Sequence, residues 1–215
     1  MAEIRSERLL QPRIDHVIIA SPDLEATAAR LEREHGIVAE AGGRHPAWGT
    51  HNRIAPLGGA YLEIIGVEDP ALAASDPLGA WVLEHARSGD ALMGFAVEVS
   101  DAAATAQRLG LGSEPGARDR PDGSRLAWTL AGRRECGLGA RPFFIEWDDP
   151  ATRPGLAPMH HHVAVSGLAW LETGGDAAAL RTWVDGELPV RSKGGSADGV
   201  LAIGISTAAG ELVLR

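Results

Sequence analysis

The chain is nearly devoid of thiol and of lysine: among 215 residues Cys136 is the only cysteine and Lys193 the only lysine. A lone cysteine excludes an internal disulfide and fits a reducing compartment, so a cytoplasmic protein is expected. With no base beside it in the Gly- and Arg-rich stretch Gly132–Arg141, Cys136 reads as an ordinary loop residue. Positive charge is also in deficit. Lys and Arg number 20 against 29 Asp and Glu, giving a net charge of −9, and the arginines are scattered. That excludes the dense basic face a nucleic-acid partner requires. No apolar run approaches the ~20 residues of a membrane span, and Met1–Pro12 is charged without an apolar centre. Neither a transmembrane helix nor a signal peptide is expected.

What is present is a core and a repeat. Hydrophobic residues make up 45% of the chain, enough for a substantial interior. Ile14–Ala20 reads as a β-branched strand, and Ser21-Pro22-Asp23 then opens a helix over Asp23–Glu34 with Ser21 as its cap. Ile37–Ala41, Thr50–Leu57 and Ala60–Val67 read as strands, with Gly42-Gly43-Arg44-His45-Pro46-Ala47-Trp48 as a loop and Gly58-Gly59 as a tight turn. The order is βαβββ. A second unit repeats it: strand Ala91–Val99, cap Ser100, helix Asp101–Leu109, and strands Arg125–Leu130 and Phe143–Trp147, with the strand before Arg125 poorly marked. A third runs through Val165–Thr173, a helix Ala177–Val184 capped by Asp176, then Leu188–Arg191, Val200–Ser206 and Glu211–Leu214. Pro70–Arg87 links the first two units and holds a helix near Leu78–Ala86.

Units of about 55 residues make poor cores alone, so they are expected to share sheets. The fold class is α+β: repeated βαβββ modules forming curved, cup-shaped mixed sheets, with a third, divergent module. The domain boundaries expected are 13–150 (modules 13–67 and 91–149) and 160–215.

Two of the strands carry a single carboxylate among apolar residues, Glu63 and Glu146, and a third, Ile14-Asp15-His16-Val17-Ile18-Ile19, carries the imidazole of His16 in the same kind of setting. A charge on the core side of a sheet is costly unless it is paired, hydrogen-bonded or bound to metal. Singly, His16 also suits a core histidine bonded to a carbonyl, Glu63 a partner of Arg53, and Glu146 a solvated carboxylate near a strand end. Aligning Tyr61-Leu62-Glu63 with Phe144-Ile145-Glu146 gives the two carboxylates equivalent places. His45 and His51 flank the start of a strand and suit proton transfer. In His160-His161-His162 neighbouring side chains diverge, so at most one lines a cup. Trp48, Trp128 and Trp147 suit a pocket wall or the core.

The segments Ile14-Asp15-His16-Val17, Pro22-Asp23-Leu24, Gly42-Gly43-Arg44-His45-Pro46, Gly49-Thr50-His51-Asn52 and Tyr61-Leu62-Glu63-Ile64 resemble the vicinal oxygen chelate superfamily, and within it the bacterial glyoxalase-like branch. The resemblance is direct over about Ile14–Val67 and continues through the repeated order. It implies paired modules around a divalent metal, with ligands His16, Glu63 and Glu146, and with Phe95 or Gly94 where a fourth ligand is usual. One imidazole and two carboxylates suit Mn, Zn, Ni, Co or Fe. The function implied is a metal-dependent lyase or isomerase acting on a small oxygen-rich metabolite, with His45 or His51 moving the proton. A metal-free small-molecule or antibiotic-binding protein is the alternative, and a ferrous dioxygenase, needing a second histidine, the third. A monomer or a homodimer is compatible with three units in one chain.

Overall fold

The computed structural model describes residues 12–120, 122–135, 141–194, 196 and 199–215, so Cys136 lies outside the described residues. The first unit comprises β1 (Arg13–Ala20), α1 (Leu24–His35), β2 (Glu40–His45), β3 (Thr50–Pro56) and β4 (Tyr61–Val67). Two short helices, α2 (Pro70–Ser75) and α3 (Pro77–His85), lead to the second: β5 (Ala91–Glu98), α4 (Ala102–Leu109), β6 (Ser113–Asp119), β7 (Arg125–Ala131) and β8 (Phe143–Trp147). The third contains β9 (Val165–Gly174), α5 (Ala177–Val184), β10 (Val190–Lys193), β11 (Val200–Thr207) and β12 (Gly210–Leu214).

The first two units share one eight-stranded mixed sheet, ordered β2-β3-β4-β1-β5-β8-β7-β6. Its halves meet where β1 and β5 pair antiparallel, and in each half the first strand pairs parallel with the last. The sheet curls until its edges approach: Arg118 on β6 donates to the carbonyl of Gly42 on β2. This is the cup the sequence led us to expect. Two glycines permit the approach. A Cβ at Gly42 would collide with Asn52 Oδ1, and one at Gly43 would lie 2.8 Å from the Asp119 carbonyl oxygen. The Gly-Gly-Arg-His stretch is therefore strand, where the sequence suggested loop.

Alternation along the strands divides the interior in two. One set of side chains, including Val17, Leu62, Ile64, Phe95 and Phe144, faces α1 and the third unit's sheet. The other, including Ile18, Tyr61, Ile65, Phe143, Ile145 and Trp147, faces the cup, where Leu78 and Val82 of α3 close one end. Helix ends follow simple chemistry with shifted caps. Asp23, rather than Ser21, accepts from the Ala26 N–H, and Asp101, rather than Ser100, accepts from Ala104. Ser21 Oγ instead accepts from the Asp23 N–H and bonds Thr27.

The third unit keeps the βαβββ order but not its pairing. Its sheet runs β10-β9-β11-β12, so the first strand pairs parallel with the second and not with the last. It covers the side of the large sheet remote from the cup, where Leu171, Leu180, Ile203 and Ile205 join the core around Phe95 and Phe144. Among the described residues, no helix is long and apolar enough to cross a membrane.

Candidate functional site

Strand register fixes which side chains meet. The pairing of β1 with β5 contains two one-residue interruptions, at Asp15 and at Met93, placed symmetrically about the contact. Superposing one half on the other through these bulges sets His16 opposite Gly94 in role, and Asp15 opposite Met93. The flanking pairs, Ile18 with Glu63 and Ala96 with Phe143, then make Phe143 the counterpart of Glu63. Likewise Asn52 pairs with Ile65 as Leu130 pairs with Ile145, so Leu130 is the counterpart of Asn52.

The bulge creates the centre of the site. In a regular strand Asp15 and His16 would point to opposite faces; the extra residue lets both face the cup. His16 Nδ1 lies 2.7 Å from Asp15 Oδ1, and both side chains are buried. A carboxylate only accepts, so Nδ1 carries the proton and Nε2 is the atom presented to the cup. The Asp15 carboxylate is held further by the Trp147 indole N–H at 2.9 Å and by the Tyr61 hydroxyl. Burial, then the charges of Asp15 and Glu63, push the Tyr61 phenol well above its ordinary pKa, which keeps it a proton donor. The Tyr61 ring stacks on His16 with centroids 4.7 Å apart and fixes the plane of the imidazole.

Glu63, on neighbouring β4, brings Oε2 to 3.6 Å from His16 Nε2. Its Oε1 accepts from Asn52 Nδ2 at 2.5 Å, while Asn52 Oδ1 is buried with no hydrogen-bond partner among the described residues. His45 is buried on the same side, with Nδ1 3.1 Å from Thr50 Oγ1. Burial, against the raising effect of Glu63, pushes its pKa down to about 4, so it is neutral at pH 7. These groups open into a cleft of about 450 Å³ walled by Trp48, Trp128, Trp147, Phe143 and Ile145.

Two guanidinium groups complete the lining. Arg118 is buried, and desolvation lowers its pKa against the opposing pull of Tyr61 and Glu63; an arginine stays charged regardless. Arg133, also buried, holds Asp76 at 2.7 and 3.0 Å and Glu114 at 2.5 Å, and stacks over Trp48 at 4.6 Å. Asp76 is the N-cap of α3, so Arg133 ties the helix that closes the cup to the second half of the sheet.

The structure thus gathers His16, Glu63 and His45, and leaves other expected members elsewhere. Glu146 sits on the opposite face of β8 from Ile145 and Trp147, where it accepts from the Ala102 N–H at the start of α4 at 2.9 Å. It matches Gly66 rather than Glu63, because aligning the two strands by residue type ignored which face each residue takes. Phe95 likewise faces away from the cup, and the position answering to His16 is Gly94. His51 lies on the other face of β3 from Thr50 and Asn52. His160 bonds Glu40, His161 bridges Val38 and Pro56, and His162 bonds Glu32; they fasten the connecting segment to the first unit. Sequence reasoning passed over Asp15, Asn52, Tyr61 and Arg118 as site residues. An aspartate inside the apolar run Ile14–Ile19 was a visible signal for the first of these.

The donor set can be tested against the divalent ion that the resemblance implies. His16 Nε2 and Glu63 Oε2 have the spacing of two ligands on one ion, and Asp15 supports His16 as second partners of metal-bound histidines do. A resident zinc ion takes at least three protein ligands. With Glu146 on the far face, no group of three His, Cys, Asp or Glu is assembled among the described residues. The second histidine that a ferrous dioxygenase needs is equally lacking from such a group, since His45 does not join the pair in one. Among the described residues the His, Cys, Asp and Glu side chains do not assemble the ligand shell of a resident zinc ion.

Over residues 14–186 the sequence matches the glyoxalase-like domain family. No curated protein matches the chain. Among solved structures, a hypothetical protein from Staphylococcus aureus superposes with a TM-score of 0.68 at 14% identity, covering 87% of this chain and 88% of that one. Methylmalonyl-CoA epimerase from Mycobacterium tuberculosis gives 0.43 at 19% identity over 62% of this chain and 85% of that one. A Streptomyces coelicolor methylmalonyl-CoA epimerase variant in complex with 2-nitronate-propionyl-CoA gives 0.44 at 21% identity over 64% and 94%.

Proposed function

The chain belongs to the glyoxalase-like domain family, and from that premise we propose that its cup is the active site of a small-molecule isomerase or lyase. The reaction class is proton transfer at a carbon beside a carbonyl, with no net redox change. The observation that carries this reading is the buried Asp15–His16 pair aimed at Glu63 within a ring-walled cleft.

Asp15 holds His16 in one tautomer, leaving Nε2 free to take a proton. Glu63 Oε2 stands 3.6 Å away, so a substrate atom beside the pair meets two basic atoms. The atom that removes the proton holds it and can return it at a neighbouring substrate atom, which is an isomerisation; expulsion of a leaving group that carries away the electron pair instead makes the reaction a lyase. Positioned acid–base groups of this kind contribute about 10²–10⁴-fold each. The charge that develops on the carbonyl oxygen is met by neutral His45, able to donate one hydrogen bond, and by the Arg118 cation. The rings of Trp128, Trp147 and Phe143 exclude water and suit a substrate with a flat or apolar part. The substrate class is a small, oxygen-rich, anionic carbonyl compound.

Deuterium incorporation from D2O into pyruvate, 2-oxobutyrate and phenylpyruvate, followed by proton NMR, tests the reading. Exchange is expected with the native protein, at least 100-fold slower in His16→Gln and Glu63→Gln, and unchanged by EDTA. Equal exchange in both variants, or abolition by EDTA, overturns the metal-free mechanism. Tryptophan quenching by these acids with no exchange points instead to a binding protein.

A further inference from the structure

A second, larger cleft shares Arg118 with the cup. It is an open cleft between the β2 and β6 edges and the segment 151–158, which is strapped to the β3–β4 turn by the Gly59 N–H donating to the Gly155 carbonyl at 2.8 Å.

Three guanidinium groups reach this cleft, together with the carboxylates of Glu40 and Asp122 on its wall and of Glu98 beside Arg153. Arg118 donates to the Gly42 carbonyl. Arg120 donates to the Thr152 carbonyl at 2.5 Å and to Ser124 Oγ at 3.4 Å, all neutral acceptors. Arg153 has a side chain only 10% exposed; its Nε is buried without a hydrogen-bond partner among the described residues, 3.6 Å from Glu98 Oε2. Glu98 is already engaged by Arg13, so two cations share that one carboxylate. Of the carboxylates on the wall, Glu40 bonds His160, and Asp122 accepts from Ser124 and is also drawn by the charge of Arg120. Arg118 and Arg120 rest on neutral acceptors and Arg153 shares one carboxylate with Arg13; an oxyanion supplying bidentate acceptors relieves the cost of burying such incompletely paired cations. Apolar surface from Ile54, Pro56 and Leu156 lines the same cleft.

We propose that this cleft is the subsite for an anionic tail of the substrate, with phosphate or carboxylate groups bound between Arg120 and Arg153. The reacting head lies in the cup, and Arg118 forms the shared wall. The substrate class therefore narrows to elongated molecules carrying a second oxyanion remote from the reactive carbonyl. This rests on the reading of the cup as the head-binding site.

Isothermal titration of the full chain with inorganic pyrophosphate and with citrate tests the subsite. Submillimolar binding of one of them is expected, pyrophosphate preference marking a phosphate tail and citrate preference a carboxylate tail. Arg120→Gln/Arg153→Gln should weaken it at least tenfold. Should that protein not fold, the half-exposed Arg120→Gln alone should weaken it about threefold. Absence of binding by both anions, or equal binding by the variants, overturns the subsite. Anion binding without proton exchange removes the proposed chemistry of the cup and leaves the subsite standing; exchange without anion binding does the reverse.

Discussion

The two halves of the cup have the same backbone plan and opposite chemistry. Each has a first strand with a one-residue bulge, a helix capped by aspartate and a last strand parallel to the first. The first half sets Asp15, His16, Asn52 and Glu63 toward the cleft; at the matching places the second sets Met93, Gly94, Leu130 and Phe143. What the second half adds is a wall of rings and two guanidinium groups from β6 and the β7–β8 turn. A repeated fold thus dictates where side chains arrive without dictating what they do. Proton-accepting groups are concentrated on one side, and cations with apolar surface on the other.

The strongest way to break this comparison is to disable the accepting half. His16→Gln and Glu63→Gln should each slow deuterium exchange by at least about 10²-fold, while helical and sheet content by circular dichroism stays unchanged. Retained exchange would show that the first half does not carry the chemistry. Next in size is Arg133→Met, which takes from Asp76 its buried cation and leaves Glu114 to Arg134 alone. Burial alone would raise both carboxyls, but the hydrogen bonds and charge of Arg133 outweigh it and hold them low. Losing that partner should cost about 3–5 kcal/mol in urea unfolding.

His45 sharpens the comparison through pH. Its folded pKa of about 4 lies below its ordinary 6.5, so the unfolded chain takes up a proton first as the pH falls. Stability from this residue is therefore complete above pH 6.5 and is lost as pH drops toward 4, by roughly 3 kcal/mol in all. In His45→Asn that part of the pH dependence of unfolding should vanish. Copying the second half into the first with Asn52→Leu removes the donor to Glu63 Oε1 and should destabilise by about 1–3 kcal/mol. The smallest effect belongs to Glu146→Ala: about 1 kcal/mol from a lost bond to the Ala102 N–H, with exchange rates unchanged. A large fall in exchange for Glu146→Ala would return that residue to the site.

The architecture was legible because apolar strands, aspartate-rich helix starts and glycine stops recur in one order. β2 was misread, since Gly42 and Gly43 look like a turn until the facing Asn52 and Asp119 show why a side chain cannot fit. The pairing within the third unit was not legible, because element order does not determine which edge of β9 receives β10 or β11. In the site, His16 and Glu63 stood out as polar groups in apolar strands, and His45 as a loop-edge imidazole. Asp15 was hidden by the assumption of strict alternation, which a bulge breaks locally. Glu146 was misplaced for a related reason: a shift of one residue reverses the face, and residue-type alignment does not see faces. Arg118 had no local mark, since its place in the cup arises only when β6 curls round to β2.

The bulge at Asp15 has a wider meaning because its counterpart at Met93 is present without any chemistry. An additional residue in each of two strands turns two adjacent side chains inward together, a geometry no regular ladder provides. The scaffold therefore has two sockets for a neighbouring acid–base pair, lying across the β1–β5 seam from each other, and only one is furnished. Met93→Asp with Gly94→His would furnish the other with the same two side chains.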